Sequence, residues 1–173
     1  MNADAFRHFF DYHLNENRDI WDKYVTPLSD EQFAQSAGYS HGSVRNQILH
    51  LMSVDEAWFS GLRGVDIPDA IDPASVADRN GIRRQWDAVE HDMRDYLRKL
   101  RDDMLFDKPF AVGEDKDLIT WQVLLQVGNH GTDHRSQLLR LLNDLGVKTV
   151  SQDYIFYAYD HPVEHQGASS SSP

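Results

Sequence analysis

The amino-acid sequence predicts an all-α fold, specifically a four-helix bundle. Apolar residues recur at spacings of three and four in four long segments, and no segment shows the strict alternation typical of a β-strand. Stretches rich in Pro, Gly and Asp separate these segments. Amphipathic helices bury one face each, and four of them do so most simply by packing against one another.

The first helix is predicted over residues 3–24, and Pro27 ends its pattern. Ser29, with a Gln three residues later, has the capping-box spacing of a short helical turn. The second helix is predicted over residues 43–62, with Gly64 just beyond its end. An Asp- and Pro-rich loop follows it.

The third helix is predicted over residues 75–104, with charged residues on one face and apolar residues on the other. The linker after it has room for a short extended pair around Phe106 and residues 111–112. The fourth helix is predicted over residues 120–145, and Gly146 suits the position that follows a helix end.

We expect one domain over residues 1–163 of this 173-residue chain. Within it, the aromatic segment SQDYIFYAYD is predicted to pack across the bundle end. The Ser-rich residues 164–173 are predicted to be a disordered tail.

Composition excludes several classes of function. The chain has no cysteine, so it has no disulfide, thiolate zinc site or cysteine nucleophile. With 28 Asp and Glu against 17 Lys and Arg, its average surface repels phosphate, which argues against nucleic acid as a partner. No signal peptide or uncharged run of roughly 20 apolar residues is present, so we expect a cytoplasmic protein without a membrane partner.

Two histidines one turn apart in the fourth helix, His130 and His134, are the strongest chemical signal. Residues four apart project from the same face of a helix, and here that face is at or beside the apolar one. One interpretation is a pair of core histidines whose ring nitrogens are hydrogen-bonded. The other is two neighbouring ligands of a divalent transition metal, with a third ligand from another helix.

His50 is the candidate third ligand, although periodicity equally allows a position at the margin of the second helix's apolar face. The other histidines lack a helical partner at the right spacing, and most are interpreted as surface or packing residues, with His13 able to face the core. Three polar residues near the pair are candidates to hydrogen-bond a ligand's second nitrogen or a bound water: Gln126, Asp133 and Gln137. For Asp133 we favour a solvated helix face. Asp55 lies among apolar residues, where its carboxylate needs a partner such as an Arg or a capping amide.

Two motifs together resemble the DinB/YfiT-like superfamily of metal-dependent enzymes. The stretch HGSVRNQILHLMSVDEAW resembles its second-helix signature, through His50, Asp55 and Trp58. The stretch HGTDHRSQ resembles its fourth-helix motif, through His130, His134, Arg135 and Gln137. The resemblance implies an up-down-down-up bundle with a metal held by His50, His130 and His134, and a homodimer.

Three imidazole ligands would leave positions open on the ion, as in catalytic sites. Zn, Ni, Fe and Mn all suit imidazole ligands. Superfamily relatives use low-molecular-weight thiols, so the resemblance implies a thiol-dependent transferase acting on small electrophiles, with Arg45, Arg135 and Arg140 as candidate contacts for an anionic thiol. The alternatives are a metal-dependent hydrolase, with Asp55 or Asp133 as a weak candidate base, and a non-enzymatic metal-binding protein of the stress response. The sequence identifies no catalytic residue, and the substrate is expected to be a small molecule.

Overall fold

The computed structural model describes residues 2–75 and 78–163, and it is built from six α-helices over these ranges. The expected tail at 164–173 lies outside the described residues. The helices are α1 (Ala3–Ile20), α2 (Asp30–Ala34), α3 (Val44–Arg63), α4 (Arg79–Lys99), α5 (Thr120–Asp144) and α6 (Tyr154–Asp160). The described ranges contain no β-strand, which confirms the all-α prediction.

Side-chain caps fix where these helices begin. Asn2, Ser43 and Asp78 each accept a hydrogen bond from a backbone N–H in the first turn of the helix that follows. Ser29 and its Gln partner form the predicted capping box at α2. Gly64, with a left-handed φ of 67°, ends α3.

Two segments differ from the sequence prediction. The third long helix begins at Arg79, not near residue 75, because Asp78 supplies its cap, and it ends at Lys99. The expected extended pair in the following linker is wrong, since 3₁₀ turns occupy Asp103–Phe106 and Glu114–Asp117. Phe106 and Val112 are 69% and 81% exposed, so neither residue is packed as an extended pair would require.

The four long helices pack in a ring, in which α1 and α3 both contact α4 and α5. The aromatic core between them includes Phe10, which meets Phe59 edge to face. Glycines on α5 allow α1 to approach closely, because a Cβ atom at Gly128 would lie 2.1 Å from the Phe9 ring. The exact up-down-down-up order stays a prediction.

The aromatic segment forms α6, which packs on α1 through Tyr154 and Tyr157. Both rings contact Tyr12, whose hydroxyl donates to the Gln152 carbonyl oxygen at 2.6 Å. Within the described residues, no helix has the combination of length and hydropathy that a membrane crossing requires.

Candidate metal centre

Two antiparallel helices bring the three predicted ligands together. Gln47 on α3 contacts His134 on α5, and one turn further along α3 His50 contacts His130. The ring centroid of His130 lies 4.2 Å from that of His134, and the His50 centroid lies 5.1 and 4.4 Å from those of His130 and His134. The three imidazoles therefore converge on one small volume between the helices.

The spacing of the ring nitrogens fits a shared ion. Nε2 of His50 lies 3.1 Å from Nε2 of His130. Two nitrogens that each lie about 2.0–2.1 Å from one metal, at a right or tetrahedral angle, are roughly 2.8–3.4 Å apart. Without an ion, one ring donates a hydrogen bond to the other. This pair is consequently ready to take a metal without large rearrangement.

His41 joins the same cluster from the loop before α3. Its ring stacks on that of His50, with centroids 3.8 Å apart and planes inclined by 20°. One ligand atom from each of His41, His50 and His134 lies within 4.8 Å of the others, a spacing that allows a metal ion. Sequence reasoning placed His41 among the surface or packing residues, because a loop histidine has no helical spacing to identify it. It is indeed exposed, but it stands beside the predicted ligands.

Burial favours the neutral form of the three predicted ligands. Burial, and then the neighbouring imidazoles, lower the pKa of His50 to about 4. Burial and His134 lower the pKa of His130 to about 4, and burial lowers the pKa of His134 as well. Neutral imidazoles keep a lone pair for a metal, so the donor set suits a divalent transition metal.

The side-chain amide of Gln47 contacts His134 at the ring nitrogen Nδ1 and at the backbone. Its nitrogen lies 2.8 Å from Nδ1 of His134 and 3.1 Å from the carbonyl oxygen of the same residue. In this arrangement Nδ1 accepts the hydrogen bond. The amide turned over would instead accept from a protonated Nδ1, the form that leaves Nε2 for a metal, and would give up the bond to the carbonyl. Gln47 is thus an outer partner that the sequence prediction did not name.

The three predicted outer partners lie on the exposed side of α5 or near it. Gln137 donates to Asp133 at 3.0 Å and also contacts the Ser40 hydroxyl. Asp133 is exposed, as favoured from sequence, and its charge raises the pKa of both His130 and His134 against the effect of burial. Gln126 is exposed, and its side chain has no hydrogen-bond partner within 2–75 and 78–163.

Beneath the cluster lies a fully buried polar network. Asp55 accepts a hydrogen bond from Nε2 of His13 at 3.2 Å, and Arg135 donates to Nδ1 of the same ring at 3.0 Å. Arg135 also donates hydrogen bonds to Asn17 and Gln152, and it is fully buried. The expected Asp55 partner was an Arg or a capping amide, but the direct partner is His13.

These contacts revise the candidate binding arginines. Arg135 is inside the bundle and does not reach a ligand from solvent. Arg140 is an exposed residue paired with Asp144 at 3.0 Å. Arg45 donates to the carbonyl oxygen of Pro73, in the loop after α3. We therefore do not assign the recognition of an anionic thiol to Arg135 or Arg140.

Two buried polar atoms beside the cluster have no hydrogen-bond partner among the residues that the structure describes. One is Oδ1 of Asp55, the carboxylate oxygen not used by His13. The other is Nδ1 of His130, on the side of the ring away from His50. Asp55 raises the pKa of both His50 and His130, so its charge acts directly on the candidate ligands.

A pocket of about 220 Å³ opens beside His41 and His50. A second pocket of about 490 Å³ shares Ala70 and Ile71 with it. The remaining walls of the smaller pocket are uncharged: Asn46, Leu49, Ser53 and Pro73. A small molecule in this pocket would lie directly against the histidine cluster.

Comparison with known proteins agrees with this architecture. No curated protein matches the chain. The model of the DinB family matches residues 1–167, which is nearly the whole length. The match includes every helix described above, both histidine-bearing helices and the His41 loop. The chain therefore belongs to the DinB family.

Proposed function

We propose that the chain is a metal-dependent enzyme that transfers a low-molecular-weight thiol to small electrophiles, with a divalent ion held by His50, His130 and His134. The observation that supports this most is the convergence of neutral imidazoles at the wall of an uncharged pocket. Zn, Ni, Fe and Mn are all compatible with these ligands.

A divalent ion at these rings supplies Lewis acidity, which lowers the pKa of a coordinated thiol. The chain's own residues supply the rest. His50 and His41 form the pocket wall next to the ion site, while Leu49 and Ile71 offer apolar surface to an electrophile. Asn46 and Ser53 offer hydrogen bonds that orient it. In the transfer, sulfur bonds to carbon, the leaving group departs with its electron pair, and the thiol proton goes to water.

The lining of the pocket favours transfer over hydrolysis. Among its described walls there is no Asp or Glu to accept a proton from an attacking water. Asp55, a candidate base from sequence, is fully buried and engaged by His13. A thiol needs no such base once its pKa has fallen below the ambient pH.

The partners follow from the same proposal. The substrate is a small molecule, because the pocket beside the cluster holds about 220 Å³. The net charge of −11 supports neither nucleic acid nor an anionic membrane surface as a partner. We also propose a homodimer, as the family resemblance implies, and a location in the cytoplasm with a role in the stress response.

Elemental analysis of purified protein tests the metal site. We expect one bound divalent ion in the wild type, and loss of that ion in His50→Ala and His134→Ala. His91→Ala is the matched control, since His91 is an exposed histidine on α4 whose side chain is 73% exposed. Circular dichroism checks that each variant is folded. Unchanged metal content in His50→Ala and His134→Ala would overturn the site.

A second experiment tests the reaction. A chromogenic aryl halide is offered with a panel of low-molecular-weight thiols to wild-type protein reconstituted with each candidate metal. We expect thiol-dependent product from the wild type and none above background from His50→Ala. Product that forms without thiol would favour hydrolysis, and no product with any metal would leave a non-enzymatic binding protein.

A further inference from the structure

We infer that His41 is a fourth imidazole ligand, carried by the loop before α3, and that it occupies the metal position which a thiol substrate takes during the reaction. The inference rests on the proposed metal site. It adds a ligand to the three that the sequence predicts, and it assigns that residue to the control of access.

The first support is the position of the ring. Stacking places the His41 centroid 3.8 Å from that of His50, and 5.4 Å from that of His134. Ligand atoms of these three residues lie within 4.8 Å of one another. An ion held by His50 and His134 therefore has the ring of His41 within reach. Nε2 of His50 also lies 3.1 Å from Nε2 of His130.

The second support is the conformation of the loop that carries His41. Ser40 and Gly42, on either side of His41, both have left-handed φ values, 50° and 84°. A left-handed serine costs free energy, and it persists where surrounding contacts hold it. The Ser40 hydroxyl contacts Gln47 and Gln137, on the two helices that bear the other ligands.

Hydrogen bonds to the backbone fix the same turn. The side-chain amide of Asn46 donates to the His41 carbonyl oxygen at 3.1 Å. The Ala37 N–H donates to the Gly42 carbonyl oxygen at 2.7 Å, and the Gly42 N–H donates to that of Tyr39 at 3.0 Å. These bonds hold the backbone on both sides of His41, while its ring stays exposed at the pocket wall.

A gating role follows from coordination number. Four imidazoles fill a tetrahedral ion, which is the closed arrangement of structural sites, whereas three leave a position for a substrate. His41 is the exposed member of the cluster, and it lines the pocket together with His50. A thiol bound to such an ion would take the position of the His41 nitrogen. The imidazole would leave with its lone pair, and the thiol proton would pass to water.

Cobalt(II) reports this exchange without reference to turnover. The visible absorption of four-coordinate Co²⁺ is more intense than that of five- or six-coordinate Co²⁺. We expect wild-type protein to bind one Co²⁺ with an intense spectrum. His41→Ala is expected to keep the ion, to lose intensity as waters raise its coordination number above four, and to bind 2-mercaptoethanol roughly tenfold more tightly. That factor corresponds to a position that is open about a tenth of the time in the wild type.

Two matched variants make the test decisive. His91→Ala removes an exposed histidine elsewhere and is expected to match the wild type in both measurements. His50→Ala is expected to bind no Co²⁺. Identical spectra and thiol titrations for wild type and His41→Ala would overturn the role of His41 alone. Wild-type Co²⁺ binding by His50→Ala would overturn the proposed metal site itself.

Discussion

Nη1 of Arg135 lies 3.0 Å from Nδ1 of His13, and both side chains are completely buried. A guanidinium only donates, so this His13 nitrogen accepts, and the proton of the neutral ring faces Asp55. Burial lowers the pKa of His13, which keeps the ring neutral. The contact links α5 to α1 and, through Asp55, to α3.

Removal of Arg135 is therefore expected to destabilise the fold strongly. Arg135→Met should lower the free energy of unfolding by roughly 3–5 kcal/mol, because it leaves His13, Asn17 and Gln152 buried without their partner. Urea denaturation measures this change. The control is Arg140→Met, which removes only the exposed ion pair with Asp144 on α5. It should change the free energy of unfolding by less than about 1 kcal/mol. Equal effects of the two substitutions would contradict the network.

A methyl group at Gly131 is expected to disturb the same network. Its Cβ atom would lie 2.3 Å from Cε1 of His13, a ring that has no room to move. Gly131→Ala should cost about 1–3 kcal/mol through overpacking, although alanine favours a helix by about 1 kcal/mol. Gly38→Ala is the control, since no heavy atom lies within 4 Å of a Cβ there. A gain of stability in Gly131→Ala, measured by thermal unfolding, would show that α1 is not packed this closely.

The pH dependence of stability follows from the histidine cluster. His50 and His130 have pKa values of about 4 in the folded chain, against an ordinary value of 6.5. Between these values the unfolded chain binds more protons, so the stability of the metal-free protein falls as the pH drops from 6.5 toward 4. Above pH 6.5 these two rings are neutral in both the folded and the unfolded chain. They then no longer make the stability depend on pH.

Urea midpoints of the metal-free protein between about pH 5 and 8 test this window. The midpoint should rise with pH to about 6.5 and then level off. His50→Gln should show a shallower rise, since one of the groups with a lowered pKa is gone. A midpoint higher at pH 5 than at pH 7 would be the opposite sign and would contradict the burial of neutral imidazoles.

Asp55 is expected to strengthen metal binding from outside the ligand set. Its charge favours the cationic form of His50 and His130, so it also favours a metal cation at these rings. Asp55→Asn should weaken Zn²⁺ binding by roughly 10- to 100-fold, as measured by competition with a chelating dye. Glu90→Gln is the control, because Glu90 is also a buried carboxylate and is paired with Arg18 on α1 and Arg94 on α4. Equal losses in both variants would indicate a general loss of folding instead.

The sequence predicts the helices well, because apolar periodicity and side-chain caps are local signals. The four-residue spacing of His130 and His134 likewise places both rings on one face of α5. The contact of His50 with His130 depends on the pairing of α3 with α5, which periodicity alone leaves open.

Two residues show where local signals end. His41 reaches the cluster through the left-handed turn around it and through bonds to α3 and α5, none of which has a periodic pattern. Arg135 looks like a surface arginine in a helical sequence, because its partners come from α1 and from Gln152. Both are tertiary effects, so they become visible only when the chain is folded.

The bond between Arg135 and Gln152 also sets the length of chain that the bundle needs. Nε of Arg135 donates to Oε1 of Gln152 at 2.7 Å, and the Gln152 amide donates to Ser136 at 2.8 Å. A chain that ended after α5 would lack Gln152. The Arg135 guanidinium would then lose a partner, and the Tyr12 hydroxyl would lose its acceptor. The shortest chain that keeps these contacts therefore extends past Gln152. The segment after α5 covers the buried side chains at this part of the bundle.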